Sequence, residues 1–549
     1  MAGGVRRFLL AVETRLSRLA GHRWRAIVLV GLMSLAARAL LLPVLPIPKP
    51  AIQDEFSYLL AADTFAHGRL ANPTPAFAAH FETLQELIRP TYSSKYPPFS
   101  GLVMALGQWL TGQPWIGVWL ATGVLCATIC WALQGWLPPA WALVGALIAL
   151  LKIGIVSYWS ESYWGGTCTA IGGALLVGAL PRLVRRPGKA AALALAAGLA
   201  ILANTRPYEG MLLALACLLY LAYAFWRRRV SLPALARSLV LPAAAVLIPI
   251  AGWMAYYNYR VTGDAWKLPY LEHERQYDMW SPLVLRLRAA PKPAYSNAVL
   301  EDFWVHGDRN DKQEAREHLL KTHALDLYRL AAFFLGLPLT LCLLVGAGAL
   351  WRDRAGRGAV LLALAFYAGA AFNLRLFPHY AAPATVLFYI VAAAGIRAAR
   401  RAWPGSAEER TFVPWAVLGI FAVVTLAGLL TPENRYLFGS VDYHIRGEWA
   451  SVMDRLQRIP GDHVVLVTYG PKHEIYQELV YNQADIEHAR VIWARSLSPE
   501  SDRALVEHYR GRQIWTLTEN GYLMLRNYRP SEEKSTITTR IKSSSEGRF

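Results

Sequence analysis

Residues 26–45, AIVLVGLMSLAARALLLPVL, form an apolar run long enough to cross a membrane, and PIPKPAIQDEFSYLL (46–60) follows it directly. Basic residues precede the run and no persuasive small-residue cleavage site follows it, which favours a retained signal anchor over a cleaved signal peptide. The adjacent carboxylates Asp54 and Glu55 then stand just beyond a membrane span. They belong either to a solvated loop or to a functional site, and the rest of the chain must distinguish the two.

The composition indicates that the core of this protein is formed within a bilayer. Of its 549 residues, 55% are hydrophobic and only 17% are charged. The net charge of +18 comes from short basic clusters between apolar runs, at 6–25, 182–189, 227–229, 352–357 and 397–401. This distribution is typical of the cytoplasmic loops of a membrane protein and excludes a nucleic-acid partner. The five cysteines lie in apolar segments and form neither a disulfide framework nor a zinc motif.

Apolar runs of roughly 17 to 25 residues predict about 11 transmembrane helices. The predicted spans are 26–45, 115–135, 140–157, 165–180, 190–204, 208–226, 239–259, 327–351, 358–376, 380–396 and 412–430. A further apolar piece, 99–112, is too short for a span. If it is not counted, four crossings precede the 182–189 cluster and every basic cluster falls on the side of the N-terminus. We therefore interpret 99–112 as an amphipathic helix at the outer interface.

This topology divides the chain into parts. Residues 1–25 form a basic cytoplasmic N-terminus, and 26–431 form the transmembrane domain with outer loops 46–113 and 260–326. Residues 432–528 form a small extracytoplasmic α/β domain, in which 463–470, 489–495 and 512–521 are predicted strands of a parallel or mixed sheet. The segments 473–482 and 498–511 are predicted amphipathic helices between the strands. Residues 529–549 are expected to be disordered.

Charged and aromatic residues gather at the predicted outer ends of the spans. Cations there suit an anionic substrate, and a carboxylate there suits proton transfer. Other interpretations remain open: Lys95 snorkels, the aromatics near Glu161 form an interfacial belt, and Glu209 only pairs with Arg206. The histidines at 273, 306, 318 and 323 show no ligand spacing and are predicted at the surface. The candidates are Asp54, Glu55, Lys95, Glu161, Arg206, Glu209, Arg375, His379 and Tyr380.

Three stretches carry a resemblance to a known family. They are DEFSYLLAADTFAHGRL (54–70), KYPPFSGLVMALGQWLTGQPW (95–115) and, more weakly, LFPHYAAPA (376–384). Together with the many spans, they resemble the GT-C membrane glycosyltransferases of family 39, the group of the protein mannosyltransferases and aminoarabinose transferases. The resemblance covers the first half of the chain well and the later spans by topology alone. The C-terminal α/β domain is not a general feature of that family.

The resemblance implies a function and a set of roles. Such enzymes transfer a sugar from a polyprenyl-phosphate donor to a hydroxyl acceptor outside the cytoplasm, with inversion. Asp54 is then the expected general base, with Glu55 supporting it or contacting the acceptor. Lys95, His379 and Tyr380 are expected at the donor phosphate, and Arg206 is added from the topology. Which of Asp54 and Glu55 takes the proton stays open. Expected substrate-binding residues are Tyr58, Tyr96, Glu161 and Tyr163.

The remaining expectations concern cofactors, partners and alternatives. No metal ligand is assigned, although a divalent metal varies among such enzymes and the sequence leaves it open. The expected partners are the lipid-linked donor, membrane lipid and an acceptor that is a glycan, a lipid or a protein. The composition favours a bacterial inner membrane with the C-terminal domain in the periplasm. A flippase or transporter of lipid-linked sugars is the main alternative, and a scaffold or receptor acting through its C-terminal domain is a third.

Overall fold

The computed structural model describes residues 2–278, 292–345, 347–428, 443–474, 476 and 478–528, and most of them are helical. The expectation of a disordered tail at 529–549 lies outside the described residues. The helices of the first half are Ala2–Gly21, Arg23–Leu40, Gln53–Ala66, Ala78–Phe81, Pro98–Thr111, Trp115–Trp136, Pro139–Ala149, Thr167–Arg185, Lys189–Ala203, Pro207–Arg227 and Leu232–Leu235. Those of the second half are Leu241–Thr262, Pro269–Tyr277, Ala298–Asp302, Arg309–Glu317, Leu319–Phe334, Gly336–Val345, Ala347–Arg352, Arg354–Ala370, Thr385–Ala402, Ala407–Gly428, Tyr443–Arg458 and Pro499–His508.

The apolar helices form a bundle with central and peripheral members. Thr167–Arg185 and Ala382–Ala402 are central, with 78% and 83% of their most apolar windows buried. In contrast, only 6% of the most apolar window of Leu232–Thr262 is buried, and large side chains such as Leu241 and Ile248 are exposed. Apolar surface of that extent requires a lipid environment, because water would disfavour it strongly. The chain is thus an integral membrane protein.

The count of eleven spans stays a prediction. Among the described residues, five single helices are long and apolar enough to cross a bilayer. The predicted span 327–351 is broken instead, because Leu319–Phe334 and the following helix are bent by 111°. Gly336 lies at this bend with φ of 71°, a left-handed conformation that glycine adopts without steric cost. Counted as one span, the bent pair makes a sixth.

The predicted interfacial helix is present as Pro98–Thr111. It begins at Pro98, where the missing backbone N–H is tolerated, and ends at Gly112 in a left-handed conformation. Its side toward Gln53–Ala66 is buried, whereas the opposite side exposes Leu102, Leu106, Trp109 and Leu110. An exposed row of large apolar side chains suits a helix that contacts lipid along one side.

The C-terminal domain contains a four-stranded mixed sheet. Its strands are His463–Tyr469, Val491–Arg495, Gln513–Glu519 and Leu523–Asn527. The first three pair in parallel, and the last pairs antiparallel to the third. The three predicted strands are confirmed, as is the helix Pro499–His508. The sequence did not indicate the fourth strand or the helix Tyr443–Arg458.

The predicted helix at 473–482 is wrong. Its described residues are turns and irregular chain. The Glu478 carboxylate accepts the backbone N–H groups of Leu479 and Val480 at 2.8 and 2.7 Å, and pairs with the Arg495 guanidinium at 2.5 Å. This buried ion pair fixes the segment against the end of the strand Val491–Arg495, and bonds to the carboxylate replace helical hydrogen bonds.

The C-terminal domain shares its core with the first outer loop. Phe56 of Gln53–Ala66, hereafter the first-loop helix, packs in one cluster with Trp449 and Val465. On the other side of the sheet, Leu60 and Phe81 pack in a second cluster with strand and helix residues. The C-terminal domain therefore packs against the loop that carries Asp54, although the two are far apart in sequence.

Gly173 offers a direct test of the bundle packing. A Cβ at this position would overlap the backbone carbonyl of Pro383, whereas a Cβ at Gly252 meets no atom within 4 Å. We expect Gly173→Ala to lower the free energy of unfolding by about 1–3 kcal/mol, because overpacking forces backbone shifts. Thermal denaturation in detergent, with Gly252→Ala as the matched control, measures this difference. Equal melting temperatures for the two variants would contradict the close approach of these segments.

Candidate active site

Glu55 is bound within the protein at the start of the first-loop helix. One carboxylate oxygen accepts the backbone N–H groups of Ala51 and Ile52 at 2.6 and 3.1 Å. The other accepts the backbone N–H of Tyr163 at 2.9 Å. Only 3% of Glu55 is exposed. These bonds connect the start of the helix to the turn that contains Tyr163. This arrangement favours a positioning role for Glu55 over proton transfer.

Asp54 has a more open environment. The residue is partly exposed, and its carboxylate accepts a hydrogen bond from the Tyr96 hydroxyl. Tyr96 in turn stacks on Tyr58, with ring centroids 4.3 Å apart. Burial and the Asp54 charge raise the pKa of Tyr96 well above its ordinary value, so its phenol stays protonated as a donor. Asp54 is thus oriented while part of its carboxylate faces open space.

Lys95 is a buried cation surrounded by aromatic rings. Its ammonium lies 5.3, 5.1 and 5.9 Å from the ring centroids of Tyr96, Tyr270 and Trp304. Within the described part of the chain, no carboxylate forms an ion pair with it. Burial lowers the pKa of Lys95, and the charge of Asp54 acts in the opposite direction. Aromatic faces stabilise a cation without neutralising it, so Lys95 can still attract an anion.

Arg206 is a second cation at the same site. It lies at the N-terminus of Pro207–Arg227, and its guanidinium is 4.7 Å from the ring centroid of Tyr380. Burial alone would lower the pKa of Arg206, but the charge of Glu209 and the neighbouring tyrosines raise it. No ion pair to Arg206 forms among the described residues. Glu209 therefore compensates its charge from a distance. Among the described residues no acceptor is hydrogen-bonded to the guanidinium, so its five donors can bind an anion.

His379 and Tyr380 lie beside Arg206. Nδ1 of His379 is 3.1 Å from the Tyr158 hydroxyl, and its ring centroid is 4.5 Å from that of Trp164. Burial and the Arg206 charge hold the pKa of His379 well below its ordinary value, so the imidazole is neutral. Burial raises the pKa of Tyr380 to about 12, which keeps its hydroxyl protonated. Both side chains can donate a neutral hydrogen bond to an anion.

Glu161 makes a buried ion pair. Its carboxylate binds the Arg38 guanidinium at 2.7 and 3.0 Å, and Arg38 also donates to the Leu45 carbonyl at 3.0 Å. The Trp115 ring covers the guanidinium at 4.7 Å. Tyr163 of the same turn donates from its hydroxyl to the Pro48 carbonyl at 2.9 Å. These contacts hold the turn against the first span and favour a structural role for Glu161.

The outer loop at 260–326 contributes residues that the sequence did not single out. His273 was predicted at the surface, but it is 1% exposed and lies 5.5 Å from the Trp304 ring. Trp304 and Tyr270, one helical turn before His273 in Pro269–Tyr277, both lie beside the Lys95 ammonium. Nearby, Lys312 binds Asp278 and Asp308 at 2.7 Å each. A spacing of three residues in PYLEHERQY was the only local signal for this buried face.

The sequence left open whether a divalent metal binds at this site. Among the described residues, no group of three or more His, Cys, Asp or Glu side chains is close enough to hold an ion. The carboxylate of Glu55 is already occupied by backbone donors, which leaves Asp54 as the accessible oxygen ligand at the start of the first-loop helix. No step proposed below requires a metal.

Comparison with known proteins identifies the fold. No family model matches the chain, and no curated protein matches it. ArnT from Cupriavidus metallidurans bound to undecaprenyl phosphate matches with a TM-score of 0.50 and 15% identity, over 95% of this chain and 94% of that chain. The same protein in the apo state matches over the same shares with a TM-score of 0.48 and 14% identity.

A second protein matches in part. The Archaeoglobus fulgidus oligosaccharyltransferase in the apo form matches with a TM-score of 0.48 and 12% identity, over 81% of this chain and 62% of that chain. At such low identities the likeness concerns the fold, and the match to undecaprenyl-phosphate-bound ArnT extends over nearly the whole chain. This chain has the GT-C fold of the membrane glycosyltransferases.

Proposed function

We propose that this protein is a membrane glycosyltransferase that moves a sugar from a polyprenyl-phosphate donor to a hydroxyl acceptor, with inversion. The observation that carries the proposal is a pair of cations, the buried Lys95 and the partly buried Arg206, in the same site as the half-buried carboxylate of Asp54. An anionic leaving group and a nucleophile that must lose a proton require these two kinds of group together. The binding of undecaprenyl phosphate by ArnT, which has the same fold, is further support.

In the proposed reaction, the oxygen of the acceptor hydroxyl attacks the anomeric carbon, and Asp54 accepts the proton that this hydroxyl loses. The bond between that carbon and the phosphate oxygen breaks, and the polyprenyl phosphate leaves with the electron pair. Lys95 and Arg206 stabilise the negative charge on the phosphate, and His379 and Tyr380 donate hydrogen bonds to it. Glu55 holds the helix start so that Asp54 keeps its orientation. Tyr58 and Tyr96 form the wall against which the sugar binds.

We further propose that this site faces away from the cytoplasm, in the inner membrane of a bacterium. The basic clusters at 6–25, 182–189 and 397–401 then lie on the cytoplasmic side. Residues 26–431 form the catalytic domain, and 432–528 form a periplasmic domain above it. The contacts of Phe56 and Leu60 with the C-terminal cores support this arrangement, because the domain packs against the helix that carries Asp54.

Purified protein in lipid nanodiscs tests the function directly. We expect it to release polyprenyl phosphate from a polyprenyl-phosphate sugar when a hydroxyl acceptor is present, and Asp54→Asn to lower the rate of this release by about 10²- to 10⁴-fold. Donors with different sugars must be tested, because Lys95 and Arg206 are proposed to bind the phosphate and do not indicate which sugar is transferred. If none of the donors reacts but the protein moves them between leaflets of a vesicle, the flippase interpretation replaces this proposal.

If Lys95 binds the donor phosphate, the KM for the donor should depend on pH in a characteristic way. Lys95→Met is expected to raise KM for the donor by about 10- to 100-fold, because a charged hydrogen bond to phosphate is lost. In the wild type the cation is lost as pH rises through a pKa below the ordinary value of 10.5, so KM rises at a lower pH than for an exposed lysine. Lys95→Arg keeps its charge and should retain a low KM there. If KM depended on pH in the same way for the wild type and for Lys95→Arg, a role of Lys95 at the phosphate would be contradicted.

A further inference from the structure

A cavity of about 570 Å³ lies between the first-loop helix and the C-terminal domain. The helix contributes Phe56, Leu59, Leu60 and Asp63, whose spacing places them on one face. At 100° per residue, Asp54 and Tyr58 project from the opposite face of the same helix. The cavity is thus separate from the candidate phosphate site but is built on the same helix.

The wall of the cavity is formed by aromatic rings. Phe56 stacks on Tyr481 with centroids 4.2 Å apart, and meets the edge of Trp449 at 5.4 Å. Trp449 in turn lies 5.5 Å from Trp493. These rings come from both the first-loop helix and the C-terminal domain, so the wall exists only when the two are packed together. All four rings are at most 8% exposed, so they form a rigid apolar lining with little side-chain freedom to lose when a ligand binds.

The rim of the cavity is polar and nearly free of net charge. Gln457 and Gln483 are exposed, and their amides make no hydrogen bond within the described part of the chain. In contrast, Asn482 is fixed by two bonds to the backbone of Trp493, at 2.7 and 2.8 Å. Arg490 and Asp63 contribute one charge of each sign. An aromatic wall with a rim of free amides suits a ligand that has both apolar faces and many hydroxyls.

We propose that this cavity binds an uncharged oligosaccharide, as the part of a glycan acceptor beyond the sugar that reacts. Sugar rings present C–H faces that pack on aromatic side chains, and their hydroxyls hydrogen-bond to amides. A phosphate would need more positive charge than Arg490 supplies, and an acyl chain would gain nothing from the exposed amides of the rim. This inference rests on the proposed function and adds to it the class of the acceptor.

The position of the cavity relative to Asp54 fits such an acceptor. Pro50, four residues before Asp54, lines the cavity at the N-terminal end of the first-loop helix. Asp63, also in the lining, lies nine residues beyond Asp54, or about 14 Å along the helix axis at 1.5 Å per residue. A single sugar does not span this distance, whereas a short oligosaccharide does. The reacting end would then reach Asp54 around the start of the helix.

The test is equilibrium binding of short uncharged oligosaccharides of glucose, mannose or galactose to the full chain in nanodiscs, by titration calorimetry. We expect at least one series to bind, with affinity that increases with chain length. The double variant Gln457→Ala with Gln483→Ala should bind about tenfold more weakly, because two amide hydrogen bonds are lost. Gln313→Ala, which removes an exposed amide outside the cavity lining, is the matched control and should bind as the wild type does.

The outcomes separate this inference from the proposed function. Asp54→Asn should lose transfer yet bind the oligosaccharide normally, which would support both proposals. If no oligosaccharide binds, or if the rim variants bind as well as the wild type, the glycan site is wrong even where transfer from the lipid donor is observed. Replacement of Trp449 by Leu should weaken binding and by Phe should not, which tests the ring itself without emptying the core. Recovery of a fatty acyl chain from the cavity would also overturn the inference.

Discussion

Replacement of Asp54 by Asn is expected to lower kcat for sugar transfer by about 10²- to 10⁴-fold, the usual contribution of a general base. The amide retains the size of the carboxylate and can still contact the Tyr96 hydroxyl, so the melting temperature should change little. The reacting hydroxyl would then have no group to accept its proton. Initial rates of polyprenyl phosphate release, with saturating donor, measure the effect on kcat.

Glu55→Gln is the matched comparison for this prediction. The two neighbouring carboxylates differ in their partners, since Glu55 accepts three backbone N–H groups and Asp54 accepts the Tyr96 hydroxyl. The Glu55 variant should therefore lose stability, because an amide cannot accept all of these bonds on both of its atoms. Full activity of Asp54→Asn together with complete loss in a well-folded Glu55→Gln would reverse the assignment of the base.

Arg38→Met is expected to destabilise the protein by about 3–5 kcal/mol, the usual result of removing one partner from a buried ion pair. Arg38 is 1% exposed, and its removal leaves the Glu161 carboxylate buried without its cation. The carbonyl of Leu45 loses a donor as well. Chemical denaturation in detergent, followed by tryptophan fluorescence, measures the change. The double variant Arg38→Met with Glu161→Gln should recover part of the lost stability, because the unpaired charge is gone.

An exposed ion pair supplies the control for this experiment. Lys49 and Asp454 form a contact of 3.1 Å between the first outer loop and the C-terminal domain, with both side chains largely in solvent. Lys49→Met should change the stability by only about 0–1 kcal/mol, because solvent screens such pairs. If Arg38→Met were equally mild, the pair with Glu161 would not hold the turn in place. The candidate site would then need another anchor on that side.

The apolar helices and three strands of the C-terminal sheet were predictable because each is encoded by a local pattern. A run such as 115–135 needs no partner to be recognised, and the helix Trp115–Trp136 begins at the predicted residue. The same reasoning failed at 473–482. This segment has the amphipathic pattern of a helix, but the ion pair between Glu478 and Arg495 holds it in an irregular conformation. The reasoning also failed at 327–351, where the chain bends at Gly336 within an apolar stretch.

The candidate site was predictable as a set of residues but not as an arrangement. The sequence singled out Asp54, Lys95, Arg206 and His379, and the structure brings aromatic partners to each of them. The sequence missed Tyr270 and His273, because in a charged loop helix a spacing of three residues is too weak a signal to show which face is buried. The burial of His273 beside Trp304 depends on a packing partner elsewhere in the same loop.

By itself, the sequence determined that this chain enters a membrane and that polar groups collect at the ends of its spans, because hydrophobicity and charge act through short stretches of chain. Only the tertiary structure decided how Asp54 and Glu55 differ. Glu55 receives the backbone N–H of Tyr163 and Asp54 receives the Tyr96 hydroxyl, from positions 108 and 42 residues away. Hydrogen bonds of this range depend on the packing of the whole bundle, and neighbours in sequence can therefore acquire different chemistry.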